Sequence, residues 1–188
     1  MNKYLHIFKN WLGYAAIVSL MCFLVYIIAQ QNFRQAANDP QYQMAEDAVT
    51  ALDKGADPKS LPGTSPVDIA GSLSPYLVIY DRAGNHVAGE ATLNGQPLKI
   101  PRVAIDYVNR KGSDAVTWQP RPGVRQAMVG LGGKNYLAFT GRSLRKTEER
   151  VATLGGQVLF GWAMSLLAML VVAVVQDVIT KKFTPQLV

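Results

Sequence analysis

The sequence predicts an α+β protein: a five-stranded antiparallel sheet with flanking helices, held between two transmembrane helices. Three observations predict it. The two most apolar stretches lie near the ends of the 188-residue chain. The segment between them reads, in order, as helix, two strands, helix, three strands and a charged exit helix. The last three strands are separated only by short Gly- and Pro-containing turns, which makes them an antiparallel meander with helices left to pack on its faces.

The first apolar stretch, Trp11–Ala29, has no charge, and the second, Val158–Val175, lies inside an uncharged run from Val151 to Gln176. A helix rises about 1.5 Å per residue and a hydrocarbon core is about 30 Å thick, so each stretch is long enough to cross. Neither has the polar stripe of a helix lying on a soluble core. Trp11, Tyr14, Tyr26 and Trp162 fall near the segment ends, where aromatic rings favour headgroups. Lys3 and Lys9 ahead of the first run also suit a signal peptide. That run is longer than the usual 7–15 or so residues, however, and Ile27-Ile28-Ala29 is a poor cleavage site, so an uncleaved anchor is expected. The boundaries are a cytoplasmic tail at 1–10, spans at 11–31 and 156–176, an extracytoplasmic domain at 32–155 and a second cytoplasmic tail at 177–188.

Orientation follows from the first span. Lys3 and Lys9 precede it and only Arg34 follows closely, which keeps the N-terminus in the cytoplasm of a bacterial inner membrane. Arg142, Arg145, Lys146 and Arg150 ahead of the second span argue the other way, but the first helix usually dominates. Small residues in the spans (Gly13, Ala16 and Ser19; Gly161, Ser165 and Ala168) let helices approach, either the chain's own pair or a homodimer.

Asp39 and Pro40 suit a helix start, so a break is expected at Asn38–Pro40. In QYQMAEDAVTALDKG, Met44, Ala45, Ala48, Val49 and Leu52 share one helical face, and Gly55 stops the helix. Residues 56–75, rich in Pro, Gly and Ser, read as loop. Tyr76–Tyr80 is the clearest strand, Asp81–Gly84 a turn and Asn85–Glu90 the returning strand. Ala91–Ile100 reads as loop. PRVAIDYVNRKG, opened by Pro101 and closed by Gly112, reads as a short helix. Ala115–Gln119, Val124–Leu131 and Tyr136–Gly141 complete the strands, and Arg142–Leu154 is a charged helix with Ser143 as a cap.

Catalysis is poorly supplied, and no enzyme is expected. The two histidines are His6 and His86, and the one cysteine, Cys22, lies inside the first span. No spacing suits a metal or a cofactor, no serine sits in a nucleophile elbow, and Gly130-x-Gly132-Gly133 separates strands rather than opening a helix. Of the 19 Lys/Arg and 13 Asp/Glu, only Lys3, Lys9, Lys181, Lys182 and Asp177 lie outside Gln30–Gly155. The remainder form no basic run, so nucleic acid is not an expected partner.

The strand-and-turn SPYLVIYDRAGNHVAG and the tail VTWQPRPGVRQAMVG…YLAFTGRSLRKTEERV resemble the extracytoplasmic PAS-like (Cache) sensor domains of bacterial signal transducers. The resemblance covers nearly the whole segment between the spans. It implies a small ligand held between the sheet and its helical insert, which here points to Tyr80, Tyr107, Trp118, Arg125 and Tyr136. A guanidinium such as that of Arg125 suits a carboxylate. The sequence departs from the family after the second span, where QDVITKKFTPQLV leaves no room for a kinase or cyclase. The expected function is therefore sensing through a separate membrane partner, a kinase or a transporter. The competing expectation is a scaffold module of an envelope complex that binds protein instead.

Overall fold

The computed structural model describes residues 2–183. Met1 and residues 184–188, the extremes of the two expected tails, lie outside the described residues. The elements are α1 (Asn2–Asp53), a 3₁₀ turn (Pro58–Ser60), β1 (Val67–Asp68), β2 (Tyr76–Asp81), β3 (His86–Ala88), β4 (Ala91–Leu93) and β5 (Gln96–Pro97), followed by α2 (Arg102–Lys111), β6 (Ser113–Arg121), β7 (Val124–Gly132), β8 (Tyr136–Ser143) and α3 (Arg145–Phe183). They divide into two compact units, one built from the N-terminal part of α1 and most of α3, the other from Phe33–Glu149.

The first unit is an antiparallel helix pair, and each helix is long and apolar enough to cross a membrane. Hydrogen bonds from two indoles tie the pair together. The Trp11 indole N–H donates to the Leu166 carbonyl at 3.0 Å, and the Trp162 indole N–H donates to Ser19 Oγ at 2.9 Å. These indoles bond across the pair as well as lying near the segment ends. Trp11, Ala15, Val18, Ser19, Cys22 and Tyr26 are buried or half-buried, while Leu12–Tyr14, Ala16, Ile17, Leu20, Met21 and Phe23–Val25 are exposed. That spacing is the coiled-coil seam. Of the small residues expected at the contact, Ser19 lies there, whereas a Cβ on Gly13 or Gly161 would meet nothing within 4 Å. Ala16 and Ala168 are exposed as well.

The second unit contains a five-stranded antiparallel sheet in the order β3-β2-β8-β7-β6. Because β2 pairs on both sides and is covered on both faces, all of Tyr76–Tyr80 is buried, which accounts for its unbroken apolar run. Alternate side chains enter two cores. On one face Tyr76, Val78, Tyr80, Met128, Leu137 and Phe139 pack with Ile105 and Val108 of α2. On the other, Leu77, Ile79 and Ala138 pack against Ala48 and Leu52 of α1. Gly130 is the close-approach point for α2: a Cβ there would lie 2.6 Å from the Phe139 ring and 2.7 Å from Val108.

Three expectations need correction. α1 does not break at Asn38–Pro40 but continues through Pro40 to Asp53. Proline removes one helical N–H. The helix beyond it is held from the sheet, because the Thr140 hydroxyl donates to the Gln41 carbonyl at 2.8 Å and both residues are buried. Next, Ala91–Ile100 is loop only in part. β4 and β5 form a hairpin turned by Asn94 (φ 53°) and Gly95 (φ 76°), and β4 pairs in parallel with β1 inside the expected 56–75 loop. Finally, Arg142 and Ser143 end β8, and α3 starts at Arg145, whose N–H donates to Ser143 Oγ at 3.3 Å.

Candidate ligand cleft

The sheet face under α2 opens at one rim into a cleft of about 750 Å³. Three pieces of chain wall it: the β2–β3 hairpin, the β4–β5 segment and the first turn of α2. The floor is apolar, with Tyr80, Leu98, Ile100 and Ile105 all buried. The rim is polar and of mixed charge, with Asn85, His86, Glu90, Lys99 and Arg102. An apolar floor beneath a few polar groups is the usual composition of a small-molecule site, and the volume lies within the usual range of roughly 300–1,000 Å³.

Local interactions fix each wall. In the β2–β3 turn the Asp81 carboxylate accepts the Asn85 backbone N–H and the Asn85 side-chain amide, each at 2.8 Å. The side-chain bond and then the backbone bonds hold the Asp81 carboxyl below its ordinary pKa. Gly84 (φ 84°) completes that turn, and Arg102 Nη1 donates to the Ala83 carbonyl at 2.8 Å. Arg102 also pairs with Asp106 at 3.1 Å, so one guanidinium links the hairpin to α2. The Tyr80 hydroxyl accepts the Ile100 N–H at 3.2 Å and thereby anchors the strand-to-α2 connection. Burial raises the Tyr80 pKa. Its ring stands edge-on to Phe139 and to His86, both 5.8 Å between centroids. His86 Nε2 lies 2.8 Å from the Gly89 carbonyl.

The five residues singled out in the sequence do not line one cavity. Tyr80 lines the cleft. Trp118 is on the same face but two strands beyond β8, half-buried against the core. Tyr107 is on α2 and 41% exposed. Arg125 and Tyr136 project from the opposite face: Arg125 pairs with Glu148, and Tyr136 packs beside α1. Strand parity explains the split. Arg125 alternates with Val124 and Gln126, and Tyr136 alternates with Leu137, so each points away from the α2 side.

The residues missed were those of Ala91–Ile100. Asn94-Gly95 was the signal that could have found them, because Asn-Gly is a strong mark of a two-residue hairpin turn. Among the described residues no three His, Cys, Asp or Glu side chains gather as a metal site. No known protein family, curated protein or solved structure matches the chain. Fold and cleft together define an α+β domain joined to a pair of helices able to cross a membrane.

Proposed function

We propose that the chain is a non-catalytic sensor of the bacterial inner membrane, whose extracytoplasmic domain binds a small ligand and signals through a separate membrane partner, a kinase or a transporter. The cleft carries this reading: a concave, mostly apolar space with a polar rim lies between the sheet and the helical insert. The resemblance to PAS-like domains implies a ligand in the same place. The order of elements, a long helix, a hairpin, an inserted helix and a three-stranded meander, supports the same reading. Signalling requires that the ligand favour one of two arrangements of the chain, so its affinity must differ between them.

The test is thermal unfolding of the full chain in nanodiscs against amino acids, organic acids, nucleosides and sugars. A ligand bound only by the folded state raises stability with the logarithm of its concentration. One chemical class should raise the midpoint, and Lys99→Ala or Arg102→Ala should abolish the rise. A folded chain indifferent to all four classes would reject the sensor. One observation favours a second reading, a protein-binding module: Val103 and Tyr107, one turn apart on α2, are 78% and 41% exposed. Tyr107→Ala that leaves any ligand response intact but loses a co-purifying protein would favour that module.

A further inference from the structure

The two edges of the five-stranded sheet differ. β3 is three residues long, and just beyond it the Glu90 N–H donates to the Thr64 carbonyl at 3.0 Å. β6 is nine residues long, and among the described residues β7 is its only neighbour in the sheet. The Gly132 N–H donates to the Gly112 carbonyl at 2.8 Å, which sets the phase of the β6–β7 ladder. Bonded and non-bonded pairs alternate along such a ladder. Asp114, Val116 and Trp118 therefore turn their peptide groups toward β7, and Ser113, Ala115, Thr117 and Gln119 turn theirs outward.

Among the described residues, no backbone hydrogen bond from another element reaches these outward groups. The four side chains are exposed, small or medium in size, and uncharged. A long strand edge without lysine is a template for another strand. Here only Pro120 and a bulge between Trp118 and Arg121 interrupt it, both at one end.

We infer that β6 is an interface for a second copy of this chain, the two strands pairing antiparallel about a two-fold axis through Thr117. Self-complementarity identifies the occupant. In this register Thr117 faces the partner subunit's Thr117 and Ala115 faces the partner subunit's Gln119, so the outward peptide groups of Ala115, Thr117 and Gln119 fall in bonded pairs. Val116, half-buried, faces the partner subunit's Trp118, also half-buried. A β-branched residue opposite an aromatic one is a favourable cross-strand pair, and no like charges meet. The bulge sets Arg121 opposite Val124, on the α2 side of the sheet, where Asp114 also projects. Asp114 of each copy therefore faces the partner subunit's Pro120 and is adjacent to the partner subunit's Arg121. Two pairs of opposite charge bracket an uncharged centre.

The interface does not depend on the cleft or its ligand, and cross-linking in membranes tests it directly. Cys22 is the only cysteine, so Cys22→Ser gives a cysteine-free chain. Adding Thr117→Cys should yield a disulfide-linked dimer on mild oxidation, because Cα atoms of a bonded pair are about 5.5 Å apart. Ala115→Cys and Gln119→Cys should each fail to link alone, being about 13 Å out of register, and should link when co-expressed. If Thr117→Cys links no better than Ala115→Cys alone, the inference is overturned. Thr117→Pro is the second variant. The N–H it removes points outward, so the β6–β7 ladder keeps its bonds. In native mass spectrometry of the full chain the parent should be a dimer and Thr117→Pro a monomer with the same circular dichroism. A monomeric parent, or a dimeric Thr117→Pro, would also overturn it.

Discussion

The two faces of the sheet are built from alternate residues of the same strands, yet they accept very different partners. The face under α1 carries small side chains, Ala127 and Ala138 on the sheet with Ala45 and Ala48 on the helix, all buried. Small residues let the helix approach closely, near enough for the Thr140 hydroxyl to reach the Gln41 carbonyl. The face under α2 carries Tyr76, Tyr80, Met128 and Phe139. Gly130 leaves the room in which Val108 of α2 and the Phe139 ring meet, and the cleft opens at the rim of this face. A period of two thus gives one sheet a closed face and an open one.

The largest effects should come from the aromatic face. Phe139 is fully buried, touches Tyr80 edge-on and lies against Gly130. Phe139→Ala should cost about 3–5 kcal/mol in denaturant unfolding. A loss below that of Leu52→Ala on the α1 face would reverse the ranking of the two faces. Gly130→Ala comes next at about 1–3 kcal/mol, since its Cβ would press on both Phe139 and Val108. Gly13→Ala in the first span is the control, because its Cβ would meet nothing. Equal effects at the two glycines would mean that close approach is not what seats α2.

How far this contrast was legible in the sequence depends on the kind of signal. The apolar spans, the YLVIY strand and the Pro101-to-Gly112 helix are local patterns, and each was readable. The helix through Pro40 was not, because it is stabilised by the bond from Thr140 to Gln41, 99 residues apart in the chain. The placement of the five candidate residues was the least legible. Tyr80 could be chosen from its strand, but the face of Arg125 and Tyr136 depends on which strands pair and in which register. The floor residues Leu98 and Ile100 directly follow a short hairpin whose only local mark is its Asn94-Gly95 turn. The position of Trp11 and Trp162 near the segment ends is a local signal, whereas their bonds to Leu166 and Ser19 depend on a helix pairing that no local pattern encodes.

On the closed face, Thr140→Val removes one hydroxyl bond while keeping the side chain's shape. It leaves the Gln41 carbonyl without its sheet donor, and about 1 kcal/mol is expected from unfolding. Faster amide exchange in the α1 residues after Pro40 should accompany it. No change in that exchange would mean the packing of Ala45, Ala48 and Leu52 alone carries the helix past the proline. Arg125→Ala, also on this face, should be smaller still, roughly 0–1 kcal/mol, because its pairing with Glu148 is solvent-exposed. Any larger loss would show that the ion pair helps to position the start of α3.

The smallest expected effect belongs to the open face and is read as a pH profile. Asp81 holds the turn that brings Gly84, Asn85 and His86 into the cleft wall, and its carboxyl is held below its ordinary value by bonds from Asn85. A depressed folded pKa gives stability that is present above the unfolded value, about 4, and is lost as pH falls through the folded one. Asp81→Ala should therefore flatten the acid side of the thermal-midpoint profile and leave its shape near neutrality unchanged. Glu149, lowered through its bond to Lys146 on α3, contributes with the same sign. Glu149→Gln is thus the comparison that separates turn from helix. If Asp81→Ala flattens the profile no more than Glu149→Gln does, the acid sensitivity is not particular to the cleft wall. If it flattens the profile more, and ligand response at low pH falls with it, then protonation of one carboxylate loosens the wall on the open face while the closed face stays packed.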